Sequence, residues 1–134
     1  MSLFADTSVW SLTFRRDKPQ AEPEVRTLIS AFSGRETIFV TGLILQEVLQ
    51  GFAGPKSRAQ IIERFAALPL LTPAIHDHIE AAELRNRCRR AGVQIETVDA
   101  LLAQLCIHHD LTMLATDRDF VHIAKHSVLK LWKA

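Results

Sequence analysis

No stretch of about 18 consecutive apolar residues occurs in this chain, so it offers no span for a bilayer. Its opening, Met1-Ser2-Leu3-Phe4-Ala5-Asp6, has no basic segment followed by an apolar run and a cleavage site, which argues against export. Cysteine is scarce. Cys88 and Cys106 fall on predicted helices without a partner motif, and the expectation is two buried, reduced thiols in a cytoplasmic protein. An excess of either charge is also missing. Sixteen Lys and Arg against fifteen Asp and Glu leave a formal net charge of +1, unlike a protein that coats nucleic acid through its overall field. Any contact with RNA or DNA must therefore be a local patch. Internal repeats, low-complexity tracts and linkers are absent too.

What is present is a chain of 134 residues, 48% hydrophobic, which suits one domain over residues 1–134 with a substantial core. Leu3-Phe4-Ala5 reads as a short strand that stops at the capping turn Asp6-Thr7-Ser8, and Val9 to Phe14 as a short helix. A charged loop, Arg15 to Pro19, separates it from a helix over Pro23 to Phe32. The β-branched and aromatic run Thr37 to Val40 predicts a second strand. Ile44, Leu45, Val48, Leu49 and Phe52 then cover an arc of about 140° on an amphipathic helix. Gly54-Pro55 interrupts it before a helix over Ser57 to Leu68 and a brief extended piece, Leu70-Leu71. A long polar helix from Ala74 to Ala91 ends at Gly92, a left-handed cap. Gln94-Ile95-Glu96 predicts a small extended link, and Thr97 caps a helix whose stripe is Val98, Leu101, Leu102, Leu105 and Cys106. Strands over Leu111 to Ala115 and Val128 to Trp132 flank one more short helix.

Strands alternating with helices predict an α/β fold: a central parallel sheet of four to five strands with helices on both faces. Reactive groups in such sheets lie at the carboxyl ends of the strands. Asp6 and Asp117 follow strands directly, while Glu47 sits about 60° off the edge of its helix's apolar stripe and Asp99 at the edge of its own, about 60° from Leu102. Taken singly, each has a structural explanation. Asp6 with Thr7 and Ser8 can cap a helix, Glu47 can be solvated, and Asp99 suits a first helical turn. Thr116-x-x-Asp119 fits a capping box with Asp in place of Glu. Their joint placement around one edge is the stronger observation, because gathered carboxylates repel one another and attract a divalent cation.

Four segments carry a resemblance to a known family. Phe4-Ala5-Asp6-Thr7-Ser8-Val9-Trp10, Gln46-Glu47-Val48-Leu49-Gln50-Gly51, Thr97-Val98-Asp99-Ala100-Leu101-Leu102-Ala103 and Leu114-Ala115-Thr116-Asp117-Arg118-Asp119-Phe120 resemble, in order, the motifs of PIN-domain ribonucleases. More narrowly, they resemble the VapC toxins of toxin–antitoxin pairs. The resemblance spans essentially the whole chain, departing only at Gln104-Leu105-Cys106, where the family often has small residues. It implies an endoribonuclease dependent on Mg²⁺ or Mn²⁺, with Asp6, Glu47, Asp99 and Asp117 as its acidic quartet. Asp6, Asp99 and Asp117 would hold the ion or its waters, and Glu47 would orient or deprotonate the attacking water. Ser8, Thr116 and Asp119 are candidates for supporting the ligands or holding a second ion. The resemblance further implies transfer or ribosomal RNA as substrate, a VapB antitoxin as partner, and a homodimer within a toxin–antitoxin assembly.

For RNA contacts, Arg15, Arg16 and Lys18 follow the first strand, and Arg85, Arg87, Arg89 and Arg90 end the long polar helix. Cations in a last turn are also what the helix dipole favours, so the first group is the preferred candidate. His76, His78, His108 and His109 lack zinc-site spacing and are expected to face solvent, and Trp10 and Phe14 to pack in the core or a dimer. Two other functions fit these residues less well. A Mg²⁺-dependent phosphotransfer domain would want Asp-x-Asp after the first strand, which Asp6-Thr7-Ser8 lacks. A non-catalytic PIN-fold binding module would have no need of all four acids.

Overall fold

The computed structural model describes residues 1–15 and 22–134. In chain order the elements are β1 (Ser2–Ala5), α1 (Thr7–Phe14), α2 (Pro23–Phe32), β2 (Thr37–Thr41), α3 (Gly42–Gln50), α4 (Pro55–Ala66), β3 (Leu70–Leu71), α5 (Ile75–Arg90), α6 (Thr97–His108), β4 (Thr112–Leu114), α7 (Asp119–Lys125) and β5 (Lys130–Leu131). The strands form one five-stranded parallel sheet in the order β3-β2-β1-β4-β5. β1 is central, with Leu3 beside Ile38 on one side and Thr112 on the other. Its residues Leu3, Phe4 and Ala5 are all buried, the continuous apolar pattern of a strand covered on both faces.

The chain runs outward from β1 through β2 to β3, then returns to β1's other side as β4. That reversal makes a topological switch point, where the connections after β1 and β4 diverge and leave a crevice at their carboxyl ends. Parallel strands place every such end on one edge, so residues distant in sequence converge there.

Several boundaries differ from the sequence expectation for physical reasons. Residues 94–96 pair with no strand; the side chain of Ile95 is buried and its carbonyl accepts a 2.9 Å bond from Arg85 Nε. Anchored that way, the chain enters α6 one residue early, with Glu96 rather than Thr97 at the cap. The last strand pairs only over Lys130–Leu131, and Val128 is left exposed. Helix α6 is buried more broadly than a stripe: Ala100, Ala103 and Gln104 join Leu102, Leu105 and Cys106, whereas Val98 and Leu101 are half-buried. Gly92 is left-handed, at φ 82°. Cys88 and Cys106 are buried free thiols, and Trp10 packs in the core against Phe14, Phe32 and Phe65. No helix among the described residues is long and apolar enough to cross a membrane.

His76, His78 and His109 are exposed as expected, but His108 has a structural partner. Its Nδ1 lies 2.7 Å from Oδ1 of Asp77, which is 1% exposed. The other carboxylate oxygen accepts the Ala74 amide at 2.9 Å. Asp77 thus caps α5 and ties it to the end of α6. Burial works against its charge, but the Ala74 amide, the His108 bond and the nearby imidazoles outweigh it and hold the carboxyl below its ordinary 3.8. A depressed carboxylate contributes stability above pH 3.8 and loses it as pH falls through the lowered value. Asp77→Ala should therefore lower unfolding free energy at pH 7 by about 2–3 kcal/mol, through a lost cap and an unpaired buried amide. Urea denaturation from pH 7 down to pH 3 checks this; a pH-independent loss under about 0.5 kcal/mol would contradict it.

Candidate active site

The backbone N–H of Asp6 donates to Leu114 O at 3.0 Å, continuing the β1–β4 pairing to the tip of the sheet. Asp6 also caps α1: its Oδ1 accepts from Val9 N at 3.3 Å and from Ser8 Oγ at 2.7 Å. Beyond β2, Thr41 caps α3 through a 3.1 Å bond from Ile44 N. This sets α3 against α1, and Thr7 Oγ1 donates to Glu47 Oε1 at 2.6 Å. Asp99 stands in the first turn of α6 and is half-buried. After β4, Thr116 Oγ1 donates to Ser8 Oγ at 2.8 Å, joining the β4 loop to the Asp6 turn. The amino ends of α1, α3, α6 and α7 therefore meet the carboxyl ends of β1, β2 and β4.

The capping box expected at Thr116-x-x-Asp119 does not form. Helix α7 begins at Asp119, whose amide donates to Asp117 Oδ1 at 2.9 Å, while Thr116 turns toward Ser8. Asp119 is left with its carboxylate facing the cluster. Oxygens of Asp99, Asp117 and Asp119 lie within 4.8 Å of one another, an arrangement able to hold a metal ion. Asp6 and Glu47 stand close enough for their charges to act on Asp99.

The electrostatics are those of a cluster without a counterion. Burial, then the charges of Asp117, Asp119, Asp6 and Glu47, raise Asp99 from 3.8 to about 7. Burial foremost, with Asp117 adding, raises Asp6 to about 6, although the Ser8 hydroxyl and Val9 amide favour its charged form. The ion pairs His108–Asp77 and Lys130–Asp110 both lie outside this edge. Arg118, between Asp117 and Asp119, pairs with neither. All candidate donors are carboxylate or hydroxyl oxygens, the hard set that suits a small divalent cation.

All four acids singled out in the sequence reach this edge, together with Ser8, Thr116 and Asp119. Sequence reasoning passed over Thr7 as a bond donor to Glu47, reading it only as part of a cap. Arg15 lies beyond the far end of α1, about 12 Å along the helix from Asp6, because eight helical residues intervene. Arg16 and Lys18 lie outside the described residues.

A family model described as PIN domain matches residues 3–126, and the chain belongs to the PIN-domain family. Its relatives by sequence are VapC ribonucleases. VapC ribonuclease Mb1587 of Mycobacterium bovis is 32% identical over 127 residues, covering 92% of each chain, and Ribonuclease VapC11 of Mycobacterium tuberculosis matches to the same extent. Among solved structures, VapBC2 from Rickettsia felis, bound to a DNA fragment from its promoter, has a TM-score of 0.76. That match covers 99% of this chain and 100% of the other at 16% identity, a likeness of fold.

A raised carboxyl pKa has the opposite linkage to Asp77. The native state binds the proton more tightly, so Asp99 costs increasing stability as pH rises from about 4 to 7. In metal-free protein at pH 8, Asp99→Asn should raise unfolding free energy by about 1–2 kcal/mol, discounted for partial exposure. The gain should vanish near pH 4. Thermal melts in chelator across that range test it, and a destabilised Asn variant at pH 8 would contradict the repulsion.

Proposed function

We propose that this protein is a metal-dependent endoribonuclease, the toxin of a VapBC-type pair. The reading rests above all on carboxylates from four separate segments gathered at the switch point of the sheet, away from the ion pairs His108–Asp77 and Lys130–Asp110. Relatives named as ribonucleases across 92% of the chain support it. Asp99, Asp117 and Asp6 would hold Mg²⁺ or Mn²⁺, with Asp119 completing the donor set or serving a second ion. When bound, such an ion neutralises charge on the scissile phosphate and lowers the pKa of a coordinated water. Glu47, its carboxylate held by the Thr7 hydroxyl, orients the attacking water and takes its proton. Ser8 and Thr116 fix the Asp6 turn against the β4 loop. In-line attack then leaves a 5′-phosphate and a 3′-hydroxyl, with no need for the 2′-hydroxyl. Structured RNA, transfer or ribosomal, is the proposed substrate, and the cytoplasm the setting in which Cys88 and Cys106 stay reduced.

The VapB-type partner is proposed because solved neighbours of the same fold are VapBC complexes from Rickettsia felis and Haemophilus influenzae. A homodimer, and a hetero-oligomer with the antitoxin, follow from the same reading. Purified protein should cut RNA in Mg²⁺ or Mn²⁺ and stop in chelator. Asp6→Ala, Glu47→Gln and Asp99→Ala should each fall by at least about 100-fold. Equal cutting by wild type and variants, with or without chelator, would sink the mechanism.

A further inference from the structure

The acidic edge repels the polyanion it is proposed to cut, so RNA must be held by cations elsewhere. Two acid-free stretches of the chain are the richest in basic residues. Residues 85–95 contain Arg85, Arg87, Arg89 and Arg90, and residues 120–134 contain Lys125, Lys130, Lys133, His122 and His126. The fold joins the two. Arg87 Nη1 donates to the carbonyl of His126 at 3.4 Å, placing the last turns of α5 against the end of α7.

On α7, Arg118, His122 and Lys125 recur at i, i+4 and i+7, so they line one face. That face starts at the rim, between Asp117 and Asp119, and descends about 10 Å. Where it ends, Arg87 takes over, with Arg90 one turn further along α5. Arg87, Arg90, Arg118 and Lys125 are all exposed. Among the described residues none of them is in an ion pair: Glu83, one turn before Arg87, and Glu24, which shares a hollow with Lys125, both stay unpaired with them. The dipole accounts for cations in the last turns of α5 and α7, but not for Arg118 at the amino end of α7, where it disfavours positive charge.

We propose that Arg118, His122, Lys125, Arg87 and Arg90 form a phosphate-binding track that leads RNA to the carboxylate edge. The inference rests on the ribonuclease reading for its ligand, but it concerns binding and is tested by binding. RNA would approach down α7 and across to α5 rather than along the loop after α1. Arg89 supplies an internal control, since it lies about 160° around α5 from Arg87.

The experiment uses full-length Asp99→Asn protein, which would bind without turning over, and a fluorescein-labelled single-stranded RNA followed by anisotropy at several salt concentrations. Adding Arg90→Glu and Lys125→Glu should weaken binding at least tenfold and flatten the salt slope by about 1.4, for two lost phosphate contacts. Arg90→Glu alone should weaken it at least about threefold, and Arg89→Glu, the same change in charge, less than about 1.5-fold. Should the double reversal fail to unfold cooperatively, Arg90→Gln with Lys125→Gln replaces it, with a loss of about fivefold expected. Equal weakening by Arg89→Glu and Arg90→Glu, which change the charge by the same amount, would overturn the track, because charge alone and not place would then matter. Failure of the wild-type protein to cut RNA in Mg²⁺ would count against the ribonuclease reading instead, and the binding comparison would still decide the track.

Discussion

Everything at the candidate site depends on the pairing of β1 with neighbours on both sides. Leu3, Phe4 and Ala5 are buried from above and below, and the strand is hydrogen-bonded to β2 and β4 along its length. The Asp6 amide extends that ladder to Leu114, so the aspartate is delivered to the sheet edge by backbone pairing. Because all the strands are parallel, β2 and β4 end at the same edge and bring their own following turns with them. Glu47 arrives on the helix after β2, Asp117 in the turn after β4, and Asp99 on the helix that precedes β4. Shifting β1 by one residue would turn its apolar faces around and move Asp6 off the edge.

That delivery is electrostatically costly. Burial foremost, and then the repulsion of four other carboxylates, raises Asp99 to about 7. Three devices moderate it without removing it. Amino ends of several helices point at the cluster and place partial positive charge there. The Ser8 hydroxyl and Val9 amide donate to Asp6, and Thr7 donates to Glu47. Half-exposure lets water reach Asp99 and Asp119. The ion pairs His108–Asp77 and Lys130–Asp110 involve none of these acids, although Arg118 stands at the rim; a side-chain counterion bound there would compete with a metal. Repulsion left standing in the metal-free protein is what a divalent ion would relieve on binding, so local instability and affinity have one origin.

Much of this was legible in the sequence because it is local. The run Leu3-Phe4-Ala5 followed by Asp6-Thr7-Ser8 announces a buried strand and a cap, and Gly92 announces a helix end. Alternation of strands and helices implied the parallel sheet, and hence which acids would share an edge. Long-range contacts were not legible. The Thr7–Glu47 bond joins residues 40 apart and the Asp77–His108 pair residues 31 apart, and neither spacing carries a local signal. Residues 94–96 alternate like a strand, yet Ile95 is buried and held by Arg85, a competitor that periodicity does not register. Asp119 looked like a cap because Thr116 precedes it by three; the Thr116 hydroxyl instead turns to Ser8, 108 residues away. The basic ends of α5 and α7 were visible as composition, but their meeting at Arg87 and His126 required the fold.

On the proposed reading, unrelieved carboxylate repulsion at the switch point is what makes a divalent-cation site there. Calorimetric titration of Mn²⁺ into chelator-treated protein at pH 6.5, in buffers of different ionisation enthalpy, reads the ion and the displaced protons together. With Asp99 near 7 and Asp6 near 6, binding should release about one proton per ion, and the release should shrink toward zero by pH 8.5. Mn²⁺ binding with no proton release at pH 6.5, or no binding at all, would contradict the account.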